Sequence, residues 1–174
     1  MAGETVTLAL LDGVETRLRE GLPDLDVAFY PDTPEHYRLG HQTVGAVLVG
    51  YGGAFLSAAG GTYRPVEDSE LIVQRRTVIV ALVIQVRSLR ERHGAIAVMD
   101  QIRSLLLGFA PPHGGPLYGD REFFMSSENG IWSYGAHYRT DTVAVADADG
   151  DTGPLLKHLT LTSPYGDRDW ISQE

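Results

Sequence analysis

The sequence predicts an α+β domain: a mostly antiparallel sheet with two helices packed on one face and a long projecting β-hairpin or strand. Three observations carry this. Val78–Ile84 is an unbroken apolar run, mostly β-branched, with no polar face, so it reads as a strand covered on both sides. Residues 6–19 and 94–107 repeat apolar side chains at helical spacing. Asn129-Gly130 sits between two strand-like runs, the sharpest hairpin signal in the chain, because a type I′ turn needs positive φ twice.

The first helix is expected over 6–19, with Val6, Leu10, Val14 and Leu18 inward and Gly21 and Pro23 stopping it. Asp26–Tyr30 reads as a short strand ended by Pro31 and Pro34, and 31–43 as a polar loop. Val44–Tyr51 is a second strand. Gly52, Gly53, Gly60 and Gly61 then open a loop to about residue 69. Leu71–Arg87 follows as one very long strand, about 56 Å if fully extended, against roughly 20 Å for an ordinary one. A strand of that length is expected to bend or to project and find a partner.

The second helix, 94–107, has Ala95, Val98, Met99, Ile102, Leu105 and Leu106 on one face. Gly108 stands where a left-handed residue ends a helix, and Pro111-Pro112 forbid continuation. A loop over 109–121 leads into strands 122–128 and 131–146. On the second, Trp132, Tyr134 and Tyr138 form a stripe of the kind that packs a sheet against helices. Phe123 and Phe124 point to opposite faces. Asp147–Pro154 is a turn, and only His158–Thr162 of the remainder looks strand-like. The expected organisation is one domain over 1–146 with a C-terminal extension, 147–174, that joins it or trails from it.

A chain of 174 residues, 43% hydrophobic and 21% charged, can bury a sizeable core. It has no long uncharged apolar run, so no membrane helix is expected. The first twenty residues lack the pattern of a secretory signal. The absence of cysteine excludes disulfides and thiol chemistry. A formal charge of -9 disfavours bulk binding to nucleic acid or anionic lipid. Lys157 is the sole lysine, which argues against a lysine nucleophile or a phosphate-loop lysine.

No motif supplies a catalytic site. Asp147, Asp149 and Asp151 alternate as in a calcium loop, but Thr152 and His158 stand where that loop needs glycine and glutamate. The six histidines show no metal-ligand spacing. The glycine pairs belong to no phosphate-binding pattern, and no serine lies in a nucleophile elbow. Glu67, Asp68 and Glu70 beside Arg64 read as a solvated loop. No catalytic, cofactor or metal residue is therefore assigned. The alternative is a small ligand- or metal-binding enzyme-like domain using loop histidines His36, His41 and His113. The arginines at the ends of the long strand, Arg75, Arg76 and Arg87, either blunt its exposed ends or pair with carboxylates of a neighbouring subunit. With the hairpin tip, Asn129 and Gly130, they form the expected inter-subunit interface.

Three segments carry a resemblance: VIVALVIQVRS, HGAIAVMDQIRSLLLGFAPP and FFMSSENGIWSYGAHYRTD. Together they resemble the tail-terminator family of Mu-like contractile-tailed phages. There a long strand leads into a helix ending in a Leu-x-Gly-Phe-x-Pro motif, here Leu106-Leu107-Gly108-Phe109-Ala110-Pro111, and an aromatic hairpin follows. The resemblance covers residues 1–146. It implies a non-catalytic, cofactor-free subunit of a homo-hexameric ring that caps the tail tube and sheath, ends their polymerisation and receives the head–tail connector. It also implies a place in the virion tail after assembly in the bacterial host cytoplasm, without membrane contact or specific nucleic-acid binding, DNA passing through the lumen. Related terminators close headless tail-like particles.

Overall fold

The structure is a computed structural model that describes residues 5–32, 37, 39–40, 43–57 and 73–145. Its elements are α1 (Val6–Gly21), β1 (Asp26–Phe29), β2 (Gly45–Ser57), β3 (Val73–Val86), α2 (Ala95–Leu106), β4 (Tyr118–Glu128) and β5 (Ile131–Val145). The five strands form one open sheet in the order β1-β2-β3-β5-β4. Only β1 and β2 run parallel; the other three pairings are antiparallel. The expected class, a mostly antiparallel sheet with two helices packed on one face, is the one observed.

Strand alternation builds the core. Val78, Val80, Leu82, Ile84 and Val86 point to the helices, none more than 1% exposed. Leu10, Val14 and Leu18 of α1 and Val98, Ile102 and Leu106 of α2 close over them. From β5, Ala136 and Tyr138 join the same layer, with Trp132 and Tyr134 packed at its border, as the aromatic stripe suggested. Burial pushes the Tyr138 phenol up to about 12, so it stays neutral in the core.

Three expectations are corrected. First, β3 is no overhanging edge. It is the central strand, paired with β5 along its whole length and with β2 from Arg75 to Val86, so nearly all its ladder groups are used within the chain. Second, β3 is not covered equally on both faces: Ile79, Ala81 and Val83, opposite the helices, are only half-buried. Nearer β1, Ala46 and Leu48 on that face are buried. In the β1–β2 connection, burial and the nearby Asp26 carboxylate raise the Tyr37 phenol pKa. Third, β2 and β4 exceed their predicted lengths. Gly52 and Gly53 do not end β2; Gly53, at φ +107°, forms a bulge between Tyr51 and Ala54, and pairing resumes. β4 begins at Tyr118 inside the predicted loop, because an edge strand needs no alternating apolar face.

The helix-end motif has a clear mechanical role. Leu107 (φ -61°, ψ 121°) and Gly108 (φ +78°) have the dihedrals of a type II turn, closed by Phe109 N–H donating to Leu106 O at 3.1 Å. Gly108 N–H then donates to Leu117 O at 2.9 Å, and Leu117 N–H to Phe109 O at 2.8 Å, turning the chain toward β4. Thr140 and Thr142 hydroxyls donate to Gly115 O and His113 O at 2.6 and 2.7 Å and tie that connection to β5. The expected Asp147–Pro154 turn and His158–Thr162 strand lie outside the described residues, as do Arg64, Glu67, Asp68 and Glu70.

Candidate functional site

The five expected interface residues divide between the two ends of the sheet. Arg75 and Arg76 lie near the start of β3, and Arg87 just after its end, roughly 40 Å away along an extended strand. Asn129 and Gly130 join Arg87's end, since Trp132 pairs with Val86. Their φ values, +52° and +73°, are those of the predicted type I′ turn, and Glu128 faces Ile131 across it.

The arginines differ in their partners. Arg76 points to the helix side: Nη1 donates to Thr7 Oγ1 at 2.8 Å and Nη2 to Tyr51 Oη at 3.1 Å, so it joins α1 to β2. Arg75 points the opposite way and is exposed. Arg87 donates to Gly40 O at 2.9 Å and Thr43 O at 3.2 Å, holding the end of the β1–β2 connection against the sheet.

Sequence reading missed a polar cluster at the β4 edge. Arg103 of α2 bridges to Glu122 at 2.8 Å and Asp100 at 2.7 Å, and these carboxylates raise its pKa further. On the open face Arg139 pairs with Asp120 at 2.7 Å. Arg121 stacks on Phe123 at 4.9 Å, and its Nε donates to His137 Nδ1 at 3.2 Å. Phe123 meets the His137 ring edge-on at 5.4 Å. The ring of Phe123 occupies the space over Gly135, where a Cβ would sit 2.3 Å from its tip. The only sequence signal was the mixed charge of Asp120-Arg121-Glu122, which straddles the end of the predicted loop and the start of the predicted strand.

His137 titrates below its ordinary value, through burial first and then the Arg121 and Arg139 cations, against the opposing Asp120 carboxylate. Between the lowered folded value and the unfolded one near 6.5, the unfolded chain binds the extra proton. This contribution is therefore full above the unfolded value and is lost as pH falls through that window. His137→Gln is expected to flatten the decline in urea stability between pH 7 and 5; an unchanged slope refutes the assignment.

This edge is a shallow cleft of about 350 Å³ in which Arg103 is paired with Glu122, Asp120 with Arg139, and Arg121 is held by Phe123 and His137. Among the described residues no group of three or more His, Asp or Glu could hold a metal ion. Of the loop histidines, His36 and His41 lie outside the described residues; His113 is exposed at φ +59° and offers its carbonyl to Thr142. No helix among the described residues is long and apolar enough to cross a membrane.

These features define an open-sheet α+β scaffold whose described polar clusters bond within the chain. The chain belongs to the Gp37 protein family, whose model it matches over residues 14–163. The match runs past β5 into the C-terminal segment that the sequence resemblance left out. No curated protein sequence matches the chain. Among solved structures, it shares its fold with a chain from the virion of a native gene transfer agent particle. That pair is 11% identical with a TM-score of 0.50, the likeness covering 82% of this chain and 100% of the other.

Proposed function

We propose that this protein is a structural subunit of a phage-tail-like virion: a tail terminator whose copies form a ring, by expectation a hexamer. The ring caps the tail tube and sheath, ends their polymerisation and presents a surface to the head–tail connector. It needs no cofactor and catalyses no reaction. The observation that carries this reading is the fold likeness to a virion chain over that chain's whole length. The free edges support it: β1 and β4 lie on opposite sides of the sheet, as a head-to-tail contact between copies requires. Assembly in the bacterial host cytoplasm and residence in the virion tail follow from the role.

Copies would meet through Arg75 and Arg87 and through the hairpin tip at Asn129-Gly130. Size-exclusion chromatography with light scattering, and electron microscopy of the protein coexpressed with tube and sheath subunits, test the ring. A strict monomer that leaves tube length unregulated overturns it. The two adjacent arginines are expected to separate assembly from folding. Arg75→Glu should weaken ring formation at least tenfold while leaving thermal unfolding unchanged, because Arg75 is exposed. Arg76→Glu should lower stability by about 1–3 kcal/mol by breaking the links to Thr7 and Tyr51. Rings of Arg75→Glu as stable as the parent's would remove Arg75 from the interface.

A further inference from the structure

Large apolar side chains are exposed where α1 begins and β2 ends. Leu8 is 56% exposed, Tyr51 51% and Leu56 59%, with Phe29 and Tyr30 at 39% and 42%. Leu8 and Leu11 of α1, Phe29, Tyr30 and Tyr51, with Ala81 and Val83 of the open face, line a groove of about 600 Å³ that runs past the end of β1. Contiguous apolar surface of this kind on a water-exposed domain marks a contact site.

We propose that this groove seats the chain's own leucine-rich stretch, residues 155–161. Four leucines, Leu155, Leu156, Leu159 and Leu161, fall within LLKHLTL. DADGDTGP precedes them and has the composition of a connection, with only alanine as an apolar side chain before the proline. The chain leaves β5 at Val145, opposite Val73. Leu56 and Tyr51 pair with Arg76 and Val80 on the same stretch of β3. Tyr51 is thus two strands across and level with Tyr138, about 25 Å from the exit at ordinary strand spacings. The ten residues 146–155 reach up to about 33–36 Å. A tether this short holds the stretch at millimolar effective concentration beside the groove, which favours the chain's own copy over a neighbour's. The family match extends through residue 163, so the four leucines lie within it and Trp170 outside it. This inference stands whether or not the subunit forms a ring.

A cysteine-free chain lets the contact be mapped directly in full-length protein. With Leu8→Cys and Leu159→Cys in one chain, mild oxidation at micromolar concentration should give an intrachain disulfide. It should form at least tenfold faster than the control pair Ile96→Cys and Leu159→Cys, Ile96 being exposed at the start of α2 beyond the opposite end of β3. Hydrogen exchange of amides 155–161 should be slowed, and Leu8→Glu should release that protection. Equal rates for the two pairs, or no protection, overturns the proposal. Disulfide dimers from mixed single-cysteine chains would make a second copy the occupant. Faster coupling of Leu8→Cys to Trp170→Cys would shift the docked segment beyond the family match; either result replaces the assignment.

Discussion

Leu82→Ala is expected to lower unfolding free energy by about 2–5 kcal/mol, a large share of what a domain of this size holds. Leu82 is 1% exposed in the middle strand, flanked across the ladder by Val49 and Ala136 and covered by the helices. Its removal leaves a cavity with the hydrogen-bonded sheet on one side and two helices on the other, so little can collapse into it. The neighbouring residue provides the contrast. Val83 faces the open side and is half-buried, and Val83→Ala should cost about 1 kcal/mol or less. Urea titrations with equal slopes would measure both. If the two variants lose comparable stability, the assignment of one helix-covered and one half-open face is wrong.

Gly94→Ser is expected to destabilise by about 1–3 kcal/mol, against the ordinary rule for helix starts. Gly94 is the N-cap of α2, with φ -80° and ψ 168°, dihedrals any residue adopts. Serine is the better N-cap in general, so local rules predict a gain of a few tenths of a kcal/mol. Tertiary packing reverses the sign. A Cβ on Gly94 would stand 2.7 Å from the carbonyl carbon of Leu89 and 2.8 Å from the Arg90 nitrogen, both backbone atoms that cannot swing aside. The helix also has no need of a side-chain cap. Ala95 N–H donates to Ser88 O at 2.9 Å and Ile96 N–H to Leu89 O at 3.3 Å, so the turn after β3 satisfies these donors. The melting temperature decides: a variant as stable as the parent, or more so, would show that the turn moves to admit the side chain.

Those two sites show where sequence reading holds and where it stops. Leu10, Val14 and Leu18 of α1, the inward residues of α2, the Asn129-Gly130 turn and the positive φ of Gly108 were legible because each depends on its own few neighbours; Val6, expected inward with them, is 41% exposed at the open first turn of the helix. Gly52 and Gly53 misled, since glycine marks both a loop and a bulge, and only the partner strand separates the two. β4 went partly unseen because an edge strand carrying Asp120, Arg121 and Glu122 has no buried face to set a pattern. The candidate interface was legible only as residue types. Nothing in QRRTV distinguishes Arg76, bonded to Thr7 and Tyr51, from the exposed Arg75.

The chain alone determined its class of fold, its lack of thiol chemistry and the identity of its principal strand, through composition and short-range periodicity, which are properties of neighbours in sequence. Tertiary structure decided that this strand lies in the middle of the sheet with both edges used, that one of its faces stays half-open, and that apolar surface gathers between α1 and the end of β2. These depend on which strands lie beside it, and strand order is set by contacts between segments far apart in sequence, for which local pattern carries no record.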